Sequence, residues 1–169
     1  MAVATRSAES VTTEQVWHEL EKASFAVIAY VTPQGEPRSS GVVFKALNRR
    51  VYIAVAPDSW KSRHIAAAGQ VSATVLVPRG GPLSLMMPIP PATISFHAGT
   101  IAYRASSPAL LAVLDELKPL LPVERRDNAS IIEITPRGEF LTYGIGVSLM
   151  EMRHPATARA RVPVGRPSP

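Results

Sequence analysis

FAVIAYVTPQGEPRSSGVVFKALNRRVYIAVAPDSWKSRHIAAAGQVSATVLV, residues 25–77, holds four apolar runs of strand length separated by turn chemistry. Phe25 to Thr32 is apolar, aromatic and β-branched, the composition of a buried strand. Pro33-Gln34-Gly35-Glu36 is a turn, with glycine where a positive φ is needed. Arg38 to Leu47 returns, Asn48-Arg49-Arg50 turns again, and Val51 to Ala56 is a third strand. Strands joined by such short turns are antiparallel. Asp58-Ser59 caps a short helix, Trp60 to Ala68, ended by Gly69, and Val71 to Val77 is a fourth strand.

Working outward, Thr12 or Thr13 caps a helix whose Val16, Trp17, Leu20 and Ala23 form one apolar face. Residues 78–92 read as a loop rich in proline and methionine, a length that is often functional. Thr93 to Arg104 is a fifth strand. Ser107-Pro108 opens a helix running to about Lys118, with Leu110, Leu111, Leu114 and Leu117 on one face. Ser130–Thr135 and Glu139–Ile145 read as a last hairpin across Pro136-Arg137-Gly138. Strands outnumber helices and no βαβ alternation occurs, which argues against a Rossmann-type sheet. The expected fold is mainly β (α+β): an antiparallel split β-barrel of six or seven strands with peripheral helices. The expected organisation is a flexible N-terminus at 1–11, one domain at 12–152, and a basic Pro/Arg tail at 153–169. That tail is flexible or laid on a partner.

Of the 169 residues 46% are hydrophobic and 18% charged, a globular composition. The absence of cysteine excludes disulfides, thiolate metal sites and cysteine nucleophiles. The net charge of +5 is concentrated late: after Glu151 come Arg153, Arg159, Arg161 and Arg166 and no acid. Residues 1–152 carry 14 basic and 13 acidic groups, which argues against a nucleic-acid-binding domain. MAVATRSAESVTTEQ has no apolar core of a secretory signal. The 24 residues between Arg79 and Arg104 lack formal charge but are broken by Pro82, Pro88, Pro90 and Pro91, so no membrane helix is expected there. A cytoplasmic protein is expected.

The best chemical signal is Pro57-Asp58-Ser59-Trp60-Lys61-Ser62-Arg63-His64. A helix start presents unpaired N–H groups and the positive end of its dipole. Hydroxyls, an ammonium and a guanidinium beside it suit a phosphate. The same residues also describe an ordinary capped helix with two solvated cations, and Asp58 favours that reading. Arg38-Ser39-Ser40-Gly41 can reach a ligand lying on the sheet, or form the wet end of a hairpin. Trp60 can stack on a planar ligand or cover a core edge. His18, His64, His97 and His154 are scattered, with no carboxylate at ligand spacing, so no metal site is expected. Gly144-Ile145-Gly146 lacks the third glycine of a dinucleotide fingerprint.

Taken in order, residues 24–77 resemble the first half of the pyridoxamine 5'-phosphate oxidase-like, FMN-binding split-barrel family. FAVIAYVTPQGEPRSSGVVF resembles its opening hairpin, NRRVYIAVAPDSWKSRHIAA its third strand and phosphate turn, and GQVSATVLV the next strand. The resemblance covers about a third of the chain well. It implies a homodimer with flavin in clefts between subunits. By position, Arg38, Ser39, Ser40 and Gly41 would line the ring and ribityl chain, and Val55 and Ala56 would supply backbone near the ring. Ser59, Lys61, Ser62 and Arg63 would hold the phosphate. The sequence departs from the family at His64, where many members carry asparagine, and near Trp60, where many carry a basic residue. No C-terminal Arg-x-His segment of true pyridoxamine phosphate oxidases is found, so vitamin B6 oxidation is not implied.

Three functions follow as alternatives. One is an FMN-dependent oxidoreductase acting on a small-molecule substrate, or its variant using the deazaflavin coenzyme F-420. In the variant, Arg79, Arg104 or the tail arginines would meet a longer anionic tail. The second is a module that holds flavin or haem without turnover, with His97 or His64 as a single axial ligand. The third is a nucleic-acid-associated protein using the basic tail, which the neutral body and few aromatics disfavour.

Overall fold

Thr12 sets the start of the first helix: its hydroxyl accepts from the Gln15 N–H at 3.2 Å, and the Gln15 side chain accepts from the Thr12 N–H at 2.8 Å. This capping box opens α1 (Thr13–Lys22), which buries Val16, Trp17 and Leu20. The computed structural model describes residues 11–79, 81, 89–103, 110–125 and 129–165. After α1 come β1 (Phe25–Val31), β2 (Pro37–Leu47), β3 (Arg50–Val55), α2 (Trp60–Ala68), β4 (Gln70–Val77) and β5 (Ala92–Tyr103). α3 (Leu111–Leu117), β6 (Ser130–Tyr143), α4 (Pro155–Ala158) and β7 (Arg159–Pro163) complete the order. Most of the 78–92 loop and the Ser107-Pro108 helix start lie outside the described residues.

Every strand pairing is antiparallel, in the order β3-β2-β1-β4-β5-β6-β7, and β3 also pairs with β6. That extra pairing closes a six-stranded barrel and leaves β7 outside it. The turns behave as their residues dictate. Gly35 has φ +84°, and Asn48 and Arg49 both have positive φ, the conformation of a tight hairpin turn matching strand twist.

Alternation fills the barrel. Ala26, Ile28 and Tyr30 of β1, Val42, Phe44 and Ala46 of β2, and Val71, Ala73, Val75 and Val77 of β4 are all buried. Phe140 meets Trp17 and Phe96 edge to face, with centroids 5.3 and 5.6 Å apart. β3 is buried on both faces because α3 covers its outside, packing Leu114 and Leu117 near Tyr52 and Ile131. Beside Tyr52, Arg50 pairs with Glu133 at 3.3 Å. Burial, then the Glu133 charge, pushes the Tyr52 hydroxyl above its ordinary pKa.

Two elements differ from the sequence reading. The expected hairpin at 130–145 is one continuous 14-residue strand. Between the pairs Ser95↔Leu141 and His97↔Arg137, β6 spends two more residues than β5, and Gly138 sits there with φ +71°. Proline and a left-handed glycine mark a bulge as readily as a turn. The bulge divides the labour of β6: residues 130–134 pair with β3 and residues 139–143 pair with β7.

The second difference is the stretch placed in a basic tail. Residues 155–163 form α4 and β7 on the same molecule. Exposed Arg159 and Arg161 alternate with inward positions, and Val162 and Val164 join the core. The buried Trp17 indole N–H donates to the Val164 carbonyl at 3.0 Å. Removing residues 159–169 takes away that acceptor and two core valines. The expected loss is at least about 3 kcal/mol, read as a lower urea midpoint with red-shifted tryptophan emission. An unchanged midpoint would show that β7 contributes nothing.

Candidate functional site

Between β3 and α2 the chain turns on Ser59. Its hydroxyl donates to the Ala56 carbonyl at 2.8 Å and accepts from the Ser62 N–H at 3.1 Å. The Ser59 N–H donates to the same Ala56 carbonyl at 3.1 Å. The serine is therefore spent largely on fixing the helix start, and the Ala56 carbonyl is taken twice. Ser62 is buried at the first turn. Val55 is buried in the ladder opposite Ser130.

The two cations of this helix part company. Residues two apart on a helix point about 200° apart. Lys61 is half-buried and leans to the sheet, its ammonium donating to the Gly41 carbonyl of β2 at 3.3 Å. Arg63 is exposed, and its guanidinium carbon lies 4.4 Å over the Trp60 ring.

Arg38, Ser39, Ser40 and Gly41 also divide, because neighbours on a strand face opposite ways. Ser39 and Gly41 lie on the outer face, beside Ala29 and Val27 of β1. Arg38 and Ser40 share the parity of the buried Val42, beyond its end of the barrel. Of the ten residues marked out by the sequence, Gly41, Ser59, Lys61 and Ser62 come together. Arg38 and Arg63 belong to another group. Arg38 pairs with Glu36 at 2.7 Å and, with Trp60, His64, Tyr30, Thr32, Gln34 and Glu36, lines a cleft of about 640 Å³.

The outer face beside Gly41 runs across five further strands. The register aligns Gly41, Val27, Thr74, Ser95, Leu141 and Arg161 in one row. Thr74 and Ser95 bond hydroxyl to hydroxyl at 3.0 Å. Phe25, Val27, Val31, Leu76 and Leu141 are exposed large apolar residues on this sheet. Phe25 lies over Gly41 so closely that a Cβ there would come within 2.8 Å of its ring. The face thus offers an apolar floor with hydroxyls at its centre, a lysine at one margin, and Arg159 and Arg161 at the other.

The grouping of Tyr30 and His64 with Trp60 escaped the sequence reading. The His64 ring lies 5.6 Å from Trp60 and 6.2 Å from Tyr30, centre to centre. Spacing of four between 60 and 64 signals the first contact; Tyr30 is brought in by the fold. His97 is exposed on β5 opposite Ser72. Among the described residues no cluster of three or more His, Asp or Glu gathers at metal-binding geometry, and no helix is long and apolar enough to cross a membrane.

No family model matches the chain, and no curated protein matches its sequence. Solved structures do match its fold. The haem storage protein HutZ from Vibrio cholerae superposes with a TM-score of 0.63 at 15% identity, over 80% of this chain and 98% of that one. An F420 reductase gives 0.53 at 20% identity, over 73% and 93%. A pyridoxamine 5'-phosphate oxidase-related, FMN-binding protein from Nostoc punctiforme gives 0.54 at 14% identity, over 78% and 79%. The fold is the split barrel of pyridoxamine 5'-phosphate oxidase-like proteins, as the motifs in residues 24–77 imply. Fold neighbours thus include proteins described by FMN, by F420 and by haem.

The brace at Ser59 makes a direct prediction. Ser59→Ala removes the acceptor for the Ser62 N–H and should lower stability by about 1 kcal/mol, measured by urea denaturation. No loss would mean that the cap is replaced by water.

Proposed function

We propose that this chain binds FMN on the outer face of the barrel, with the phosphate seated at the start of α2, and serves as a flavin-dependent oxidoreductase. The observation that carries the reading is Lys61: a half-buried lysine whose ammonium turns from a helix start onto the Gly41 carbonyl of β2. A phosphate at this point meets a positive charge and the positive end of a helix dipole. The donor set fits a single phosphate: one ammonium and the buried Ser62 beside it, with Ser59 mostly committed to the cap. The flavin, when bound, supplies hydride or single-electron transfer; the protein supplies binding, orientation and electrostatics. Gly41 lies under the exposed Phe25 ring, which would have to swing aside or stack on the flavin, and Arg38 would have to leave Glu36 to reach it. Arg63, stacked on Trp60, takes no part in the seat.

The deazaflavin coenzyme F-420 is the second reading, favoured by Arg159 and Arg161 on the far margin of the same face, which suit a longer anionic tail. A homodimer is part of the proposal. The exposed Phe25, Val27, Val31, Leu76 and Leu141 share one sheet face, and a second copy seated there would remove them from water. The protein acts in the cytoplasm on this reading. Sedimentation should give about twice the chain mass at micromolar concentration, and Val27→Asp should shift it to one chain. A monomeric wild type sinks the dimer.

Lys61→Ala tests the seat. A charge-assisted hydrogen bond contributes about 1.5–3 kcal/mol, so FMN should bind roughly tenfold to a hundredfold more weakly. Riboflavin, which lacks the phosphate, should lose much less. Both are titrated by flavin fluorescence. Equal losses, or none, would make Lys61 only a brace between α2 and β2.

A further inference from the structure

The cleft that gathers Arg38, Tyr30, Trp60 and His64 is left unused by the phosphate seat, and α2 separates the two by direction. Lys61 points toward mid-β2, whereas Trp60 and His64 lie one turn apart along the side that meets the β1–β2 hairpin. Trp60 is 70% exposed, whereas the other tryptophan, Trp17, is 3% exposed. A large aromatic left so open at the wall of a cleft offers stacking surface to a ligand. Arg63 covers part of its ring, His64 stands tilted beside it, and Tyr30 comes in from a different element. The i to i+3 and i to i+4 contacts steady the helix in any case. They do not account for Tyr30 and Arg38, which the barrel brings to the same cleft.

The polar lining narrows the ligand. One guanidinium, Arg38, lines the cleft, while that of Arg63 lies over the Trp60 ring. Glu36 is the acid of the cleft, and its pair with Arg38 is exposed on both sides (61% and 59%), so an anion displaces it at small cost. Gln34 at the turn offers a donor and an acceptor to a heterocycle edge. The volume of about 640 Å³ lies within the range of small-molecule sites. We infer that this cleft binds an aromatic heterocycle carrying a phosphate, of the size of a nucleoside monophosphate, with the ring against Trp60 and the phosphate at Arg38. It is a separate site from the seat of Lys61, and its existence does not depend on flavin binding. The nucleotide is either free or the far half of a cofactor that continues beyond its phosphate.

The probe is AMP on the full chain, followed by calorimetry. AMP should bind saturably, and adenosine more weakly. Trp60→Ala should weaken AMP by on the order of tenfold, the scale of a lost base–aromatic stack. Arg38→Ala should erase most of the difference between AMP and adenosine. Lys61→Ala should leave AMP affinity unchanged. FAD against FMN separates the two sources. FAD binding more tightly than FMN, with the gain abolished by Trp60→Ala, assigns the ring to one long cofactor. Saturable AMP binding together with equal affinities for FMN and FAD assigns it to a free nucleotide. Either result supports the site. Circular dichroism of Trp60→Ala checks its fold, and Trp60→Phe, which keeps a ring, should retain most of the affinity. Loss of AMP in Lys61→Ala as large as in Trp60→Ala would place AMP at the phosphate seat and overturn the inference. So would absence of AMP binding together with equal affinities for FMN and FAD.

Discussion

The pairing of β3 with β6 is the constraint on which the rest of the molecule depends. Residues Val51–Val55 meet Ser130–Ile134, and that ladder turns an open sheet into a barrel. Closure gives the alternating residues of β1 to β6 a common interior and removes two sheet edges. It also fixes the end of β3, from which the chain enters α2. The geometry of Lys61 against Gly41 is therefore set by the barrel and not by the helix alone. Gly138 lets the same strand then bend away and accept β7, so Phe140 is covered by Trp17 from α1 while β7 seals the margin.

The first half of the fold was legible because its signals are local. Gly35, Asn48-Arg49, Ser59 and Gly69 each demand one backbone geometry, and the runs between them have strand composition. The second half was less so. Pro136-Arg137-Gly138 satisfies both a turn and a bulge, and only the partner strand decides between them. The inward positions of β7, Ala160 and Val162, alternate with Arg159, Arg161 and Pro163, and so short an alternation does not stand out from a basic tail.

The site divides along the same line. Ser59, Lys61 and Ser62 were readable as a helix start beside a strand, because capping and charge at a helix terminus are matters of adjacent residues. Which cation faces the sheet was not readable, since it depends on how α2 docks on β1, β4 and β5. The aromatic cleft was not readable either. Tyr30 and Arg38 reach Trp60 only through the pairing of β1 with β2 and the packing of α2 on β1. Contact across elements, rather than residue type, distinguishes a solvated arginine from one lining a site.

The central claim is that the start of α2, through Lys61, and mid-β2, through Gly41, form the seat of a flavin phosphate. The most direct measurement is an amide ¹H–¹⁵N titration of the full chain with FMN. The account predicts saturable shifts that are largest at Gly41, Lys61 and Ser62, accompanied by shifts along the outer face at Val27 and Thr74. No saturable shifts, or shifts confined to α3 and the β3–β6 ladder, would contradict it.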